Sequence, residues 1–546
     1  RGEIGLIVGH LQDMRHDGTL NAVLCSTVGA ALEFLPTVGM GLLFPALVQF
    51  ARQGSGRAGR VVGGIYAWNT LGSIVGAGAT GLALVPLLGS FWSFRAALLV
   101  YALTPIVLLG ARNLAATTSI VCAVALLSNW KAPDPLDTNL GTFMYGPEAT
   151  KITRGSMRTL YFGEGATSNV LVMEGTPAAS PLPGRAPERV LTLRVNGKID
   201  ASSRDDMPMQ LGLAYIPRFL RPSAKSVLVI GMGSGATAGA SALFPEAQVT
   251  CCEIEPEIIA AVTCFSDFNH RPLEAPNVAV VLDDGRSFVQ GSAGPWDLIL
   301  SEPSNPWIAG VANLFTEEFY RSAQSKLSRD GILVQWLQAY SFSEREYALV
   351  IRTLTRVFGR CLLVRISDYD TLLVVGNGDL LPRAAALDEL QRRVDTLQPA
   401  HDDLERYFGT SDIRTLLLGR VLLDERGVQQ FVASVGGDEL NTDLNLRLEF
   451  DAPRRLFHER GDPGAETMRL MCAAYDVALL QRMCTQWRVD ARQLAGLKQL
   501  KTLLFQNLNN AQATNVVDLA LAYDSEDAEL LTDQLLFAPE VAPDEF

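Results

Sequence analysis

Histidine and paired cysteines are scarce in this chain. It has five histidines in 546 residues, and none of its eight cysteines forms a Cys-x-x-Cys pair or lies at zinc-ligand spacing beside a histidine. These absences argue against a histidine-based metal site or a zinc module, and we expect no metal. Cys25 and Cys122 lie in apolar stretches, which favours a reduced compartment.

Charged residues are scarce in the first 130 positions, which hold seven Arg or Lys and four Asp or Glu. Because the whole chain has a net charge of −13, the remainder carries −16. An acidic soluble part disfavours nucleic acid as a partner and suits cationic ligands. A merely solubilising acidic surface would account for the same charge.

Four apolar runs fill most of this N-terminal part. A membrane span needs about 20 apolar residues, so the first two runs qualify, the third is short and the fourth is shorter still. The alternative, a buried core helix, is disfavoured by two runs of this length. We predict transmembrane helices within 20–130, and the runs are, in order, Asn21–Phe50, Val61–Gly89, Ser93–Gly110 and Ala115–Leu127.

The arginines between the first two runs bear on orientation. Arg52, Arg57 and Arg60 form a basic loop, which the positive-inside rule places in the cytoplasm. Four spans would then deliver the rest of the chain outside, and three would deliver it to the cytoplasm. We expect three, in a multi-pass protein of the cell membrane, because the chemistry below needs cytosolic metabolites.

A glycine-rich turn follows a short apolar run in the middle of the chain. Ser226–Ile230 reads as a buried strand, Gly231-Met232-Gly233-Ser234-Gly235 as a turn, and Ala236–Phe244 as a helix. Glycines let the backbone approach a nucleotide closely, although a plain tight turn has the same pattern. A second strand, Val249–Cys252, ends at Glu253, about twenty residues on, where such folds bind ribose hydroxyls.

Two further strands also end in acidic residues. Val278–Leu282 precedes Asp284, and Trp296–Leu300 precedes Glu302. Parallel strands of an open α/β sheet end at one edge, where ligands bind. We therefore predict an α/β fold with these polar groups gathered at one site.

These motifs resemble those of the spermidine-synthase family of aminopropyltransferases over 131–380, and of its membrane-fused homologues over most of 30–455. The resemblance implies a Rossmann-like fold of the S-adenosylmethionine-dependent methyltransferase type, with an N-terminal β-hairpin subdomain. The segments that carry it, besides the strand ends, are Gly64–Gly72, Leu193–Asp200, Leu314–Tyr320, Asn441–Asp443 and Leu448–Arg454.

The resemblance also implies roles for individual residues. Glu302 would be the catalytic base toward an attacking amine. The donor, S-adenosylmethionine or its decarboxylated form, would contact Gly231, Gly233, Ser234, Gly235, Glu253 and Asp284. The acceptor, an amine or polyamine, would contact Asp200, Asp206 and Asn305. Ser234 replaces an aspartate that in the family pairs with the amino group of the donor, which leaves both donor forms open.

The expected organisation has five parts, and the chain's start at Arg1 suggests that an upstream portion precedes it. The parts are 1–19 as a remnant, 20–130 as membrane helices, 131–222 as a β-rich subdomain, 223–380 as the donor-binding domain and 381–546 as a mainly helical region.

The expected function is a membrane-anchored aminopropyl transfer; the alternatives are another S-adenosylmethionine-dependent transferase, such as a methyltransferase, and a non-catalytic nucleoside-binding sensor or transport regulator. A homodimer is left open.

Overall fold

The computed structural model describes residues 58–109, 131–175, 189–455, 463–507 and 511–525 without gaps, with isolated residues elsewhere. The chain divides into two compact units, residues 1–187 with 194–198 and residues 188–193 with 199–546. The predicted parts 223–380 and 381–546 both lie in the second unit.

An apolar helical segment begins the first unit. It comprises α1 (Ala58–Ala79), a π-helical stretch (Thr80–Leu84) and α2 (Val85–Leu109). Among the residues that the structure describes, one helix, Val62–Val100, is long and apolar enough to cross a membrane by length and composition. The runs predicted over Asn21–Phe50 and Ala115–Leu127 lie largely outside the described residues.

This helical segment is broken at Gly89, between the second and third predicted spans. Gly89 has a φ of 74°, which favours glycine, so two helices meet there at a kink. Ser90 Oγ donates to Glu164 Oε1 at 2.9 Å, and the Ser90 backbone N–H donates to the other carboxylate oxygen. Glu164 ends strand β1 (Met157–Glu164) and therefore caps the helix that resumes at Ser90.

The rest of the first unit is a small α/β arrangement. Helices α3 (Pro135–Asn139) and α4 (Thr142–Ser156) precede β1, which pairs antiparallel with β2 (Asn169–Gly175). Strands β3 (Val190–Val195) and β4 (Lys198–Ser202), most of whose residues belong to the second unit, form the predicted hairpin. A minor core here comprises Leu136, Leu140, Leu171 and Met173.

An eight-stranded sheet organises the second unit, with the order β12-β10-β11-β9-β8-β5-β6-β7. The five strands from β7 to β9 run parallel, and β11, β10 and β12 are antiparallel additions. A mainly parallel sheet of this kind agrees with the predicted α/β fold. The strands are β5 (Ser226–Ile230), β6 (Gln248–Glu253), β7 (Val278–Leu282), β8 (Trp296–Ser301), β9 (Leu327–Gln338), β10 (Cys361–Arg365), β11 (Asp370–Gly376) and β12 (Val421–Leu423).

Helices cover both faces of this sheet, which is why its central strands are continuous apolar runs. Val227, Leu228 and Val229 of β5 are fully buried, as are Ile299 and Leu300 of β8. The helices up to the last antiparallel pair are α5 (Met207–Leu220), α6 (Ala236–Ala242), α7 (Pro256–Ala261), α8 (Gly285–Gly291), α9 (Glu317–Lys326) and α10 (Glu344–Phe358).

The region predicted to be mainly helical, 381–546, also provides the short strand β12. That strand pairs antiparallel with β10 and forms one end of the sheet. The described helices of this region are α11 (Ala384–Thr396), α12 (Gln398–Phe408), α13 (Ile413–Arg420), α14 (Glu425–Val435), α15 (Arg447–Arg455), α16 (Pro463–Ala473), α17 (Val477–Trp487), α18 (Leu494–Asn507) and α19 (Ala511–Leu521).

Candidate active site

The glycine turn lies between β5 and α6, as predicted. Gly231, Gly233 and Gly235 all have positive φ, at 90°, 51° and 84°. A Cβ at Gly231 would lie 2.4 Å from the carbonyl oxygen of Glu302, so the turn passes close to the end of β8. A Cβ at Gly233 would meet nothing within 4 Å. The turn therefore presents bare backbone to open space at Gly233, which a ligand can approach.

Glu253 ends β6 beside this turn and is 5% exposed. Its carboxylate accepts from the backbone N–H of Met232 at 2.8 Å, of Ile254 at 2.8 Å and of Glu255 at 2.9 Å. Burial raises the pKa of Glu253, and these hydrogen bonds oppose the rise. Since two carboxylate oxygens offer about four acceptor positions, capacity remains for a ligand hydroxyl.

Ser234 faces the protein interior. It is 1% exposed, and its hydroxyl donates to the Gln210 side-chain carbonyl on α5. Gln210 is 2% exposed, and its amide donates to the Ser202 carbonyl at 3.3 Å. A neutral hydroxyl–amide pair therefore stands where the resemblance expects a carboxylate.

Asp284 lies at the same sheet edge, after β7, and its side chain is exposed. It caps α8, because its Oδ1 accepts from the Ser287 N–H at 2.8 Å. The next residue, Gly285, packs so closely on β5 that a Cβ there would lie 2.5 Å from Ile230. The structure thus gives Asp284 a capping role and leaves its other oxygen available.

Glu302 directly follows β8, and its backbone N–H donates to the Ile230 carbonyl at 2.9 Å. Its Oε2 lies 2.6 Å from Thr237 Oγ1, which also lies 2.9 Å from the Gln210 carbonyl oxygen. A hydroxyl carries one proton, so Thr237 cannot donate to both oxygens at once. Both hydrogen bonds form together only when Glu302 is protonated and donates to Thr237.

The surroundings of Glu302 favour the protonated form. Burial, and then the nearby carboxylates of Asp206 and Asp200, raise its pKa from 4.5 to about 8. A hydrogen bond that Thr237 donates to the ionised carboxylate opposes this rise. Glu302 as a whole residue is half-buried. A carboxyl group with a pKa near neutrality can both give and accept a proton, as a general base requires.

The three predicted acceptor residues lie on different elements of the second unit. Asp200, on β4, accepts from Ser304 Oγ at 3.0 and 3.1 Å through its two oxygens. Asp206 precedes α5 and makes no side-chain capping bond to it. Since both carboxylates influence the pKa of Glu302, the three acids form one electronegative group that suits a cation.

Asn305 is fully buried. Its Nδ2 donates to the Tyr340 hydroxyl at 3.1 Å, and its Oδ1 has no hydrogen-bond partner among the described residues. Tyr340 and Phe342 both pack edge-on against Trp307, with ring centroids 6.1 Å apart in each pair. Asn305 is thus held beside an aromatic group with one carbonyl oxygen left for a further donor.

The two cysteines of β6 do not act as nucleophiles at neutral pH. Burial raises the pKa of Cys251 well above its usual value and that of Cys252 to about 12, so both stay as thiols. Among the described residues, no group of three or more His, Cys, Asp or Glu side chains could hold a metal ion.

The predicted donor residues therefore lie at the ends of β5, β6 and β7, and Glu302 at the end of β8. The sequence analysis missed Gln210, Thr237, Ser304 and Tyr340. Gln210 had a detectable signal, because it is the one uncharged amide side chain within the apolar run Met207–Leu220. The other three are hydroxyl residues with no such signal.

Part of the second unit is similar to a known protein family. Residues 208–367 match the family model described as "Spermine/spermidine synthase domain". This segment contains the glycine turn, Glu253, Asp284, Glu302 and Asn305. This part of the chain is therefore similar to a spermine/spermidine synthase domain.

Curated relatives agree with this class. The chain is 28% identical over 201 residues to a polyamine aminopropyltransferase of Streptococcus pneumoniae, covering 36% of this chain and 65% of that protein. It is 32% identical over 142 residues to a spermidine synthase of Dictyostelium discoideum, covering 26% and 50%. The chain thus spans less than two thirds of the length of these relatives.

Solved structures were compared as well. A spermidine synthase in complex with the transition state analogue AdoDATO is 21% identical, covers 40% of this chain and 73% of its own, and has a TM-score of 0.34. A spermidine synthase from Thermotoga maritima is 22% identical, covers 40% of this chain and 73% of its own, and has a TM-score of 0.35.

Proposed function

We propose that this chain is a membrane-anchored transferase that moves an aminopropyl group from a decarboxylated S-adenosylmethionine-type donor to an amine or polyamine. The observation that carries the proposal is Glu302, a carboxyl group of raised pKa within reach of Asp200 and Asp206 and next to the glycine turn. Three neighbouring carboxyl groups can bind a cationic amine.

The proposed reaction is a displacement at carbon. The amine nitrogen attacks the carbon next to the sulfonium sulfur, the carbon–sulfur bond breaks, and its electron pair leaves with methylthioadenosine. The proton lost by the amine goes to a carboxylate oxygen of Glu302. Because amines have a pKa of about 10.4, a base beside the nitrogen is needed at neutral pH.

The raised pKa of Glu302 then has a consequence for binding. A cationic amine beside Glu302 stabilises its ionised form, so acceptor binding favours loss of the carboxyl proton and leaves Thr237 donating to the carboxylate. Asp200 and Asp206 are two further carboxyl groups close enough to affect Glu302. The acceptor thus generates its own base on arrival.

Methyl transfer from intact S-adenosylmethionine is the second candidate, and the Ser234–Gln210 pair favours it. A carboxylate at this position would repel the carboxylate of the intact donor, whereas a hydroxyl and an amide tolerate it. Binding of the two donor forms to the full chain in detergent, measured by calorimetry, separates the candidates.

The decisive experiment follows products with each donor and a panel of amines. Methylthioadenosine indicates aminopropyl transfer, and adenosylhomocysteine indicates methyl transfer. Glu302→Gln should keep donor affinity and lower turnover by roughly 10²–10⁴, the usual contribution of a positioned base. If wild type binds donor and releases neither product with any amine, the sensor or transport-regulator hypothesis replaces ours.

The membrane anchor is proposed from the apolar helix. Side chains along Val62–Val100 such as Tyr66, Trp68, Ile74 and Leu82 are between 63% and 87% exposed. An exposed apolar surface of this extent needs a lipid or protein cover. We propose a cell-membrane protein whose synthase-type domain is cytoplasmic. The anchor is tested by membrane extraction: the protein should stay in the membrane fraction in alkaline carbonate and dissolve in detergent. The absence of nucleic acid partners and the open question of a homodimer stay predictions from the sequence.

A further inference from the structure

A segment outside the matched domain holds the loop that follows Glu302. The segment is Glu439–Glu449, which includes the Asn-Thr-Asp motif singled out in the sequence. The loop, hereafter the site loop, is residues 302–316, which join β8 to α9 and carry Ser304, Asn305 and Trp307. The matched domain ends at residue 367, so the segment that holds the loop lies about seventy residues beyond it.

Asn441 is the centre of this attachment and is fully buried. Its side-chain Nδ2 donates to the carbonyl oxygens of Ala312 at 3.3 Å and Phe315 at 3.2 Å. Its Oδ1 accepts from the Leu448 N–H at 3.2 Å. Its backbone carbonyl accepts from the Glu317 N–H at 2.9 Å. Asn441 therefore donates both of its side-chain amide hydrogens to the site loop.

Two further attachments flank Asn441. Asp443 forms a bidentate pair with Arg286, which also donates to the Asn313 carbonyl at 3.3 Å. Glu449 accepts from the Gly310 N–H at 3.3 Å. The segment therefore contacts the site loop near its middle and its end, and through Arg286 it reaches α8, which Asp284 caps.

We propose that Asn441 and Asp443 are positioning residues, which hold the site loop in place for the acceptor before any ligand binds. Without these attachments, the part of the loop near Gly310 to Phe315 would open more readily. The bonds from Asn441 fix the loop's carbonyls, and the loop in turn fixes Asn305 and Trp307. The catalytic consequence rests on the proposed function, whereas the ordering of the loop does not.

Hydrogen exchange of the full chain in detergent tests the ordering without any turnover. Asn441→Asp keeps the size of the side chain and its bond from Leu448 but turns both donors into acceptors that face carbonyl oxygens. We expect exchange in peptides covering 303–316 to accelerate roughly tenfold to a hundredfold, as expected when buried hydrogen bonds are lost. Peptides of β5 and β6 should exchange as in wild type.

Asn445→Asp is the matched control. Asn445 donates to the Leu440 carbonyl and accepts from the Thr442 N–H, both at 3.0 Å and both within the segment itself. The control should leave exchange of the site loop unchanged. If Asn441→Asp also leaves it unchanged, the proposal is wrong.

Global unfolding of Asn441→Asp would appear as lost protection in β5 and β6 as well. In that case Asp443→Asn decides, because the Arg286–Asp443 pair is only partly buried and its loss should spare the fold. Faster exchange limited to α8 and 310–317 supports the proposal, and wild-type exchange there refutes it.

Activity then separates positioning from a general loss of stability. If the wild type shows turnover, Asn441→Asp should raise the KM for the acceptor about tenfold or more, while the Kd for the donor stays as in wild type. Equal losses in donor and acceptor binding would contradict a positioning role. If wild type shows no turnover with any amine, the proposed function fails and the exchange result still stands.

Discussion

Replacing Glu302 by glutamine should change how stability depends on pH. The pKa of Glu302 is raised from 4.5 to about 8 in the folded chain. A carboxyl whose folded pKa is raised contributes stability that is present below its unfolded pKa and is lost as pH rises to the folded pKa. The wild type should therefore weaken, relative to Glu302→Gln, between about pH 5 and pH 8.

The size of the effect follows from the two pKa values. Each unit of difference corresponds to about 1.36 kcal/mol, so the wild type should lose about 3–4 kcal/mol more than the variant between pH 5 and pH 8. Because Glu302 is half-buried, solvent screens it in part, and we take this as the upper figure. Above about pH 8 the two curves should run parallel.

Denaturant unfolding of the full chain in detergent, followed by tryptophan fluorescence at pH 5, 6, 7 and 8, measures this difference. Trp296 and Trp307 report on the region around Glu302. Glu425→Gln removes an exposed carboxylate in the same unit and should keep the wild-type slope. Parallel curves for wild type and Glu302→Gln across the whole range would show that Glu302 is ionised in the folded chain, and would refute the reasoning.

Three further predictions follow from the site and the membrane part. Glu253→Gln should weaken donor binding by about 1–3 kcal/mol in calorimetry, since it removes a charged acceptor; unchanged affinity would remove Glu253 from the site. Ser234→Asp should shift preference toward the decarboxylated donor by about tenfold, through attraction to its amino group, whereas the neutral Ser234→Asn should not; the same ratio in both variants would contradict this. Cysteines placed in the loop Ala51–Arg60 and beyond Gly141 should both be protected from an impermeant thiol reagent in intact cells, and labelling of the later position alone would place the domain outside.

The positions of the predicted donor residues could be expected from the sequence because these residues lie in neighbouring segments of the chain. The glycine turn follows β5 directly, and Glu253 ends the next strand, so chain connectivity alone brings them together. Asp284 and Glu302 end two more strands of the same parallel run. Strand order and strand-end position are enough to gather such residues at one edge.

The acceptor half depends on contacts between distant residues. Ser304 reaches Asp200 across 104 positions, and Asn305 reaches Tyr340 across 35. No periodicity encodes such pairs, because each depends on how separate elements pack. The resemblance identified Asp200 and Asn305, but their hydrogen-bond partners became evident only from the structure.

The short strand β12 shows how far the C-terminal region belongs to the fold. Val421–Leu423 pairs with β10 and is buried, so the edge of β10 that faces away from β11 is covered. Unpaired strand edges are templates for association with other chains. A fragment that stops at residue 380 would expose the edge of β10 together with its apolar residues Leu362 and Leu363. Such a fragment should associate with itself, so we expect shortened versions of this protein to need residues beyond Leu423.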